Sequence, residues 1–197
     1  LPILPLVALL TGSIIALLAG LWRARAAQVV AVVATGSSFV AAAAGLVFVT
    51  SNETVTYALG GWPPPIGIEY VLDPLSAFMA CIVAFIGLLI AIYPVDAAFD
   101  LRPRRRVPLY ALTLLMLTGL MGVMLSGDLF HLYVFLEIFA ISTYGLVSLG
   151  GDRATFAALR YLLLGTVGSG LYLLGVGFLY FMTGTLNMAD MAEMLPG

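Results

Sequence analysis

Six long apolar stretches dominate the chain, and each has about the 20 residues that carry a helix across the hydrocarbon core of a bilayer. They lie at residues 2–22, 27–50, 74–95, 107–126, 129–150 and 155–183. Only 9% of the 197 residues are charged, whereas a water-soluble domain has about a quarter. The stretches are continuously apolar, which disfavours the alternating pattern of a membrane barrel. The sequence predicts an all-α integral membrane protein, one transmembrane helical bundle over residues 1–197.

The two ends of the chain favour a fragment of a longer protein. The first residue is Leu1 rather than Met, and residues 194–197 do not resemble a finished terminus. Residues 1–21 have no basic residue in front of them and no clear cleavage site, so they predict a first spanning helix rather than a signal peptide.

Arginine sets the expected orientation, because the chain has no lysine. Three clusters fall between spans one and two, three and four, and five and six: Arg23 and Arg25; Arg102, Arg104, Arg105 and Arg106; Arg153 and Arg160. These connections alternate, so all three clusters lie on one side, which the positive-inside rule makes cytoplasmic. We expect a multi-pass protein of the cell membrane with both termini outside.

The connections carry their own signals. Residues 51–73 alternate apolar and polar on either side of Pro63, Pro64 and Pro65, which predicts a short hairpin on the outer surface, turned at the prolines. Trp62 and Tyr70 are expected at the headgroup level. Asp128 or Ser126 is predicted to cap span five, and Asp73 is predicted to cap span three. The spacing of Met188, Met191 and Met194 predicts a short interfacial helix after span six. Small residues in span six predict a helix-packing face: Gly165, Gly168, Ser169, Gly170, Gly175 and Gly177.

Glu137 is the most informative residue. It lies nine residues into span five, about 12–14 Å below the surface, where an acid costs on the order of 2.5–3.5 kcal/mol. Its apolar neighbours would seal the helix without it. We interpret it as a proton-relay or coupling carboxyl; the alternative is a protonated structural acid that joins helices by hydrogen bonds.

Two further polar residues are weaker candidates. His131 lies near the outer end of span five, about 240° around the helix from Glu137. It is either an outer proton gate, titrating near pH 6.5, or an interfacial side chain bonded to Asp128. Arg160, inside the start of span six, either reaches the cytoplasmic interface or turns inward as the charge partner of an acid.

The sequence lacks the motifs that would indicate nucleic-acid binding, a metal or haem site, or a common catalytic site. The net charge of −2 gives no basic surface for nucleic acid. Cys81 is the single cysteine, and no phosphate loop, nucleophile elbow, zinc spacing or haem ligand pair is present. We therefore expect no bound cofactor and no metal site.

Three stretches resemble the proton-translocating antiporter-like family, which includes Mrp-type sodium/proton antiporter subunits and the membrane-arm subunits of respiratory complex I and membrane-bound hydrogenases. They are YALGGWPPPIGIEYVLDPLSAFM at residues 57–79, SGDLFHLYVFLEI at 126–138 and LRYLLLGTVGSGLYLLGVGFLYFMTGTLNMADM at 159–191. Within the family they most resemble the D-type component of Mrp antiporters. The resemblance implies the first part of a fold of roughly fourteen helices.

The resemblance also implies roles for residues. Glu137 matches the family's fifth-helix glutamate, which pairs with a lysine in a later helix and couples proton movement through that pair. Arg160 matches a position that is often basic. Two departures stand out: His131 replaces the usual asparagine, and the chain ends before the lysine-bearing helices.

Three functions remain open at this level. The first is a transporter subunit, not an enzyme, that works with other antiporter membrane subunits in the lipid bilayer and exchanges protons for Na⁺. The second is a proton-pumping membrane-arm subunit of a complex I-type oxidoreductase or membrane-bound hydrogenase. The third is a scaffold that transports nothing and tolerates the loss of Glu137.

Overall fold

A computed structural model describes residues 2–52, 54–62, 64, 67–93 and 103–194. It contains seven helices in the described residues: α1 Leu4–Gly20, α2 Ala24–Ser51, α3 Pro74–Ile92, α4 Pro103–Leu125, α5 Leu129–Ser148, α6 Asp152–Thr183 and α7 Met188–Met194. Two short strands, β1 Val55–Ala58 and β2 Glu69–Leu72, lie between α2 and α3, with one 3₁₀ turn at Leu59–Gly61.

Each predicted apolar stretch contains a helix. Helices α2 to α6 are long and apolar enough to cross a membrane, whereas α1, with 17 residues, is an apolar helix below that length. The prediction of an all-helical membrane protein is therefore confirmed. Helix α1 packs against α2 and α4, α2 against α3, α4 against α5, and α5 against α6. Alanines fill much of the core and let the helix backbones approach closely.

The predicted hairpin between α2 and α3 is present. Strands β1 and β2 are antiparallel, with Val55 opposite Leu72 and Ala58 opposite Glu69. Residues 63, 65 and 66 lie outside the described residues, so the predicted turn at the prolines is described only at Pro64. Trp62 is 63% exposed, but Tyr70 is 3% exposed and lies inside the protein. Tyr70 therefore does not face the headgroups with its ring, because β2 packs against the helices, and its level in the membrane stays a prediction.

Side-chain caps begin two of the spanning helices, as predicted. At α3, the Ser76 N–H donates to Asp73 Oδ1 over 2.6 Å, and the Asp73 N–H donates to Ser76 Oγ over 2.9 Å. At α5, the His131 N–H donates to Asp128 Oδ1 over 2.8 Å. These bonds satisfy amide groups that the first helical turn leaves without partners. The short helix predicted after span six is also present, as α7.

Three chain segments are joined by main-chain hydrogen bonds at the end of the bundle where α5 begins and α6 ends. The Gly127 N–H donates to Glu69 O (2.9 Å), the Met188 N–H donates to Gly127 O (2.9 Å), and the Leu129 N–H donates to Leu186 O (3.0 Å). We call these bonded segments, residues 69–70, 126–129 and 186–188, the clasp. A Cβ at Gly127 would lie 2.7 Å from Val71 Cγ2, so this close approach requires glycine.

The predicted packing face of α6 is covered at Gly165, where the Tyr144 side chain of α5 fills the space beside the glycine. A Cβ placed at Gly168, Gly170, Gly175 or Gly177 would meet nothing within 4 Å in the described chain. Most of α6 beyond its contact with α5 is exposed in the described structure.

Candidate functional site

Two pairs of tyrosines fix how α5 and α6 lie against each other. The Tyr133 and Tyr172 rings stack with centroids 6.1 Å apart and planes at 8°, and the Tyr144 and Tyr161 rings meet edge to face at 4.7 Å. The helices are antiparallel, so both pairs give the same register. That register places Glu137 level with Gly168.

Glu137 lies near the middle of α5. It comes eight residues after Leu129 and eleven before Ser148, which puts it about 12 Å from one end of the helix and about 16 Å from the other. Tyr133 and Tyr144 lie four residues before and seven residues after it, on the same helical face. Both of these tyrosines contact α6, so the half-buried Glu137 belongs to the α5–α6 contact surface.

The opposite face of α5 is apolar and packs on α4. Phe135 lies over Gly122 and Phe139 lies over Gly119, and in both places a Cβ on the glycine would collide with the phenylalanine. The face of α5 that carries Glu137 therefore points away from α4.

Tyrosine hydroxyls flank Glu137 in both directions along this surface. Toward the clasp, Tyr172 Oη donates to Leu129 O over 3.3 Å. Toward the other end, Tyr144 is 9% exposed, and its hydroxyl fills the space that Gly165 leaves open.

His131 makes a different bond from the expected one. Its main-chain N–H bonds Asp128, but its ring Nε2 lies 2.8 Å from Tyr70 Oη. The ring also meets Tyr70 and Phe135 edge to face, with centroids 5.0 and 4.7 Å apart. The expectation of a side chain bonded to Asp128 is wrong, because the carboxylate is used by the N-cap while the ring turns toward the hairpin.

Tyr70 stays protonated in this bond, because burial raises the pKa of its hydroxyl above the ordinary value. The protonated hydroxyl can donate to an unprotonated His131 Nε2. The structure places His131 against the hairpin and Phe135, and Glu137 against α6. It does not bring the two residues together, and the role of His131 as an outer gate stays a prediction.

Arg160 is exposed, and its guanidinium carbon lies 4.8 Å from the centroid of the Phe156 ring, one turn earlier on α6. The α5–α6 register places Arg160 level with Gly145, which is about 12 Å along the helix axis from Glu137. The structure therefore separates Arg160 from Glu137. Of the two predicted orientations, the outward one agrees with this geometry, and the pairing of these two residues does not.

Several polar residues with structural partners were not singled out from the sequence. Tyr133 and Tyr144 share the helical face of Glu137 and contact Tyr172 and Tyr161 of α6, and their spacings of four and seven residues from Glu137 were a usable signal. Asn187, 4% exposed, donates from Nδ2 to Glu69 Oε2 over 3.0 Å and reinforces the clasp. Arg105, expected only as a topological anchor, donates to Leu149 O over 2.9 Å and joins α4 to the end of α5.

In the described part of the chain, no group of three or more His, Cys, Asp or Glu side chains is placed to hold a metal ion. The described arrangement is a half-buried carboxyl group with tyrosines before and after it on the same helical face.

Two family models match the chain. One, described as "NADH:quinone oxidoreductase/Mrp antiporter, TM", covers residues 126–196. The other, described as "NADH-Ubiquinone oxidoreductase (complex I), chain 5 N-terminus", covers residues 64–96. The first match includes α5 with Glu137, all of α6 and α7.

Curated relatives come from both branches of the family. The N-type component of the NADH-quinone oxidoreductase of Desulforudis audaxviator is 49% identical over 86% of this chain and 33% of that protein. The D-type component of the Na(+)/H(+) antiporter of Bacillus subtilis is 40% identical over 70% of this chain and 28% of that protein. The chain belongs to the proton-translocating antiporter-like family. It spans about a third of the length of these relatives.

Solved structures of this family share the fold. A chain of the membrane-bound sulfane sulfur reductase, an archaeal respiratory membrane complex, matches with a TM-score of 0.89 and 30% identity, over 96% of this chain and 39% of that one. A chain of the Mrp complex from Dietzia sp. matches with a TM-score of 0.80 and 28% identity, over 96% of this chain and 35% of that one. Both relatives are parts of multi-subunit membrane complexes, and the family resemblance drawn from the sequence is confirmed.

Proposed function

We propose that this chain is part of the proton-translocating subunit of a multi-subunit Na⁺/H⁺ antiporter, and that Glu137 couples proton movement to cation movement. The relative from the Bacillus subtilis Na(+)/H(+) antiporter and the Mrp complex support this branch of the family. The family resemblance supplies the missing charge partner, a lysine from a later helix that reaches Glu137.

The observation that carries the proposal is the position of Glu137. A carboxyl group lies about 12 Å inside a 20-residue helix, half-buried against α6 and flanked by tyrosines. An acid at this depth costs on the order of 2.5–3.5 kcal/mol, and intramembrane acids of this kind commonly move ions. The carboxyl takes up one proton when it becomes neutral and releases it when the anion pairs with the cation partner.

The proposal includes an orientation and partners. The arginine-bearing connections face the cytoplasm, as the positive-inside rule predicts, and the clasp faces outward. Protons enter from the outside in exchange for cytoplasmic Na⁺, and other membrane subunits of the complex surround the chain in the bilayer.

The test replaces Glu137 with Gln in the full-length subunit within its assembled complex. Glutamine keeps the size of the side chain but cannot carry a proton on and off. We expect Na⁺-dependent proton movement in inverted membrane vesicles to fall at least about tenfold, as for the loss of an essential proton carrier. Glu193→Gln makes the same change at an exposed position of α7 and serves as the control. Full antiport by an assembled Glu137→Gln complex would contradict the proposal.

A redox-driven proton pump is the second candidate, because the relative at 49% identity is an NADH-quinone oxidoreductase subunit and a matching structure is a sulfane sulfur reductase. In this case the same carboxyl moves protons, and electron transfer in other subunits drives it. Purification of the intact complex separates the two candidates. Iron–sulfur absorbance and electron-transfer-driven proton movement indicate the second candidate, and Na⁺-driven proton movement without them indicates the first.

A further inference from the structure

A cleft at the arginine-bearing end of the bundle has an apolar interior. Helices α3 and α5 both pack on α4, and the space between them encloses a cavity of about 250 Å³. Ile90 of α3, which is 40% exposed, and the half-buried Leu146 of α5 line its open side. The inner wall consists of side chains that are at most 3% exposed: Ala31, Thr35, Ala91 and Leu114. The cavity therefore opens on the outer surface of the described bundle.

The two threonines that line the cavity present little polarity to it. Thr35 Oγ1 donates to Ala31 O over 2.8 Å, and Thr113 Oγ1 donates to Leu109 O over 2.8 Å, so both hydroxyls are used by the backbone of their own helix. An apolar cavity stays dry and accepts apolar guests, as an engineered cavity of about 150 Å³ in another protein binds benzene. The occupant that fits this space is a hydrocarbon chain.

The cavity begins about one helical turn inside the end of the bundle. On α4 its lining runs from Leu109 to Met116, about 10 Å along the helix axis. Arg105 lies on the same face of α4, four residues before Leu109. Its Nη1 donates to Leu149 O over 2.9 Å, and Leu149 comes three residues after the lining residue Leu146 on α5. The guanidinium is thereby placed between α4 and α5 at the outer end of the cavity.

Arg105 has the charge and the donors that a phosphate group requires. Among the described residues its guanidinium donates one hydrogen bond, and the acceptor is a carbonyl oxygen without net charge. A guanidinium has five N–H donors in a fork that fits phosphate oxygens. Asp152 is the one acidic side chain described at this end of the bundle. The other charged side chains described there are arginines: Arg23, Arg25, Arg105, Arg106, Arg153 and Arg160. This end therefore attracts a negative group to the level just outside the apolar cavity.

We propose that this cleft binds an anionic phospholipid, with its phosphate group on Arg105 and part of one acyl chain in the cavity between α3 and α5. A phospholipid joins an anionic head and a hydrocarbon chain in one molecule, and basic pockets between membrane helices are known to bind lipid head groups. The bound lipid fills the space between α3 and α5 and so supports the helix that carries Glu137. The binding itself does not depend on the role of Glu137.

Photoreactive lipids test the site in the full-length subunit within its assembled complex. Two probes carry the same diazirine in the acyl chain and differ in the headgroup: phosphatidylglycerol is anionic, and phosphatidylcholine has no net charge. After illumination, the labelled residues are mapped by mass spectrometry. We expect both probes to label residues that line the cavity. Phosphatidylglycerol should label them about fivefold more strongly, the usual effect of one arginine near an anionic lipid surface.

Variants separate the headgroup from the acyl chain. Arg105→Gln removes the charge, so the two probes should label the cavity equally, and Arg105→Lys should restore part of the preference. Ala91→Leu fills part of the cavity and should reduce labelling by both probes while it keeps their ratio. Arg153→Gln and Ala157→Leu make the same changes at exposed positions of α6 that do not line the cavity. These two controls should be labelled as the wild type is.

Three results would overturn the inference. Equal labelling by the two probes in the wild type, or an unchanged preference in Arg105→Gln, removes the phosphate from Arg105. A cavity that neither probe labels, as when another subunit covers the cleft, removes the lipid altogether. If Ala91→Leu fails to assemble, the two probes on the wild type and on Arg105→Gln decide. Lipid labelling is measured without transport, so its failure leaves the proposed function of Glu137 untouched.

Discussion

The hydrogen bond between His131 and Tyr70 joins the first turn of α5 to the hairpin across 61 residues of sequence. Tyr70 is 3% exposed, so its hydroxyl would lose a partner without gaining water if the bond were removed. A buried polar group left in this way costs free energy. The hairpin is thereby attached to the bundle by a side chain as well as by the clasp.

Tyr70→Phe removes this bond and keeps the ring. We expect it to lower the free energy of unfolding by about 1 kcal/mol, the usual contribution of one hydrogen bond. Thermal unfolding of the purified protein in detergent, followed by circular dichroism, measures the change. Tyr57→Phe, on the paired strand and 41% exposed, should lie near the wild type, and equal losses in the two variants would contradict the assigned role of Tyr70.

Comparison of the wild type with Tyr70→Phe also predicts how the stability of the fold depends on pH. Burial raises the pKa of Tyr70, so the folded state holds this proton more tightly than the unfolded state. The resulting stability is complete below about pH 10, the ordinary tyrosine value, and is lost as the pH rises through the folded-state pKa. The wild type should therefore lose more stability than Tyr70→Phe between neutral and strongly alkaline pH.

The sequence alone identifies some of the important residues, but it does not show which side chains they contact. Glu137 stands out because one acid interrupts a long apolar run, and Asp73 and Asp128 because they directly precede a helix. The partners of His131 and Tyr144 come from other elements, and only the fold brings them together. The coupling role of Glu137 stays a prediction.

At the scale of elements, α4 and α5 pack in close contact at two glycines. A Cβ at Gly122 would come within 2.1–2.3 Å of the Phe135 ring, and a Cβ at Gly119 would come within 2.6 Å of the Phe139 backbone nitrogen. These two glycines, three residues apart, let α5 lie directly against α4. They were not singled out from the sequence, because periodicity does not tell which glycine faces a neighbouring helix.

Gly122→Ala should destabilise the α4–α5 contact by about 1–3 kcal/mol, the usual cost of forcing extra volume into a packed interior. Gly119→Ala should cost at least as much, since backbone atoms move less readily than a ring. Unfolding by SDS in mixed micelles measures both. Gly177→Ala, where a Cβ meets nothing within 4 Å in the described chain, controls for the substitution itself, and equal stability of all three variants would rule out the tight contact.

At the scale of the whole molecule, the apolar pattern located every long helix within a few residues. It could not give the order in which the helices pack, because bilayer-facing and protein-facing sides of a membrane helix are both apolar. The structure supplies that order for the described residues. The arginine pattern adds an orientation, which can be tested independently of transport.

Two single-cysteine variants test the orientation in a Cys81→Ser background of the full-length subunit. Trp62→Cys lies at the hairpin and Asp152→Cys at the start of α6, and both positions are exposed. In intact cells a membrane-impermeant maleimide should label the first and reach the second only after lysis. The reverse pattern would place the arginines outside and contradict the proposed orientation.

The length of α6 has a mechanical consequence. Its 32 residues make a rod about 48 Å long, whereas the hydrocarbon core is about 30 Å thick. Tilt alone would have to reach about 50°, beyond the 40° that membrane helices adopt. The α5–α6 register aligns the 20 residues of α5 with residues 157–176 of α6, so about five residues at the Asp152 end and about seven at the Thr183 end extend past α5. Tilting a rod of this length by about 10° about its midpoint would move each end by about 4 Å, so a small change of tilt beside Glu137 becomes a larger displacement at the ends of α6.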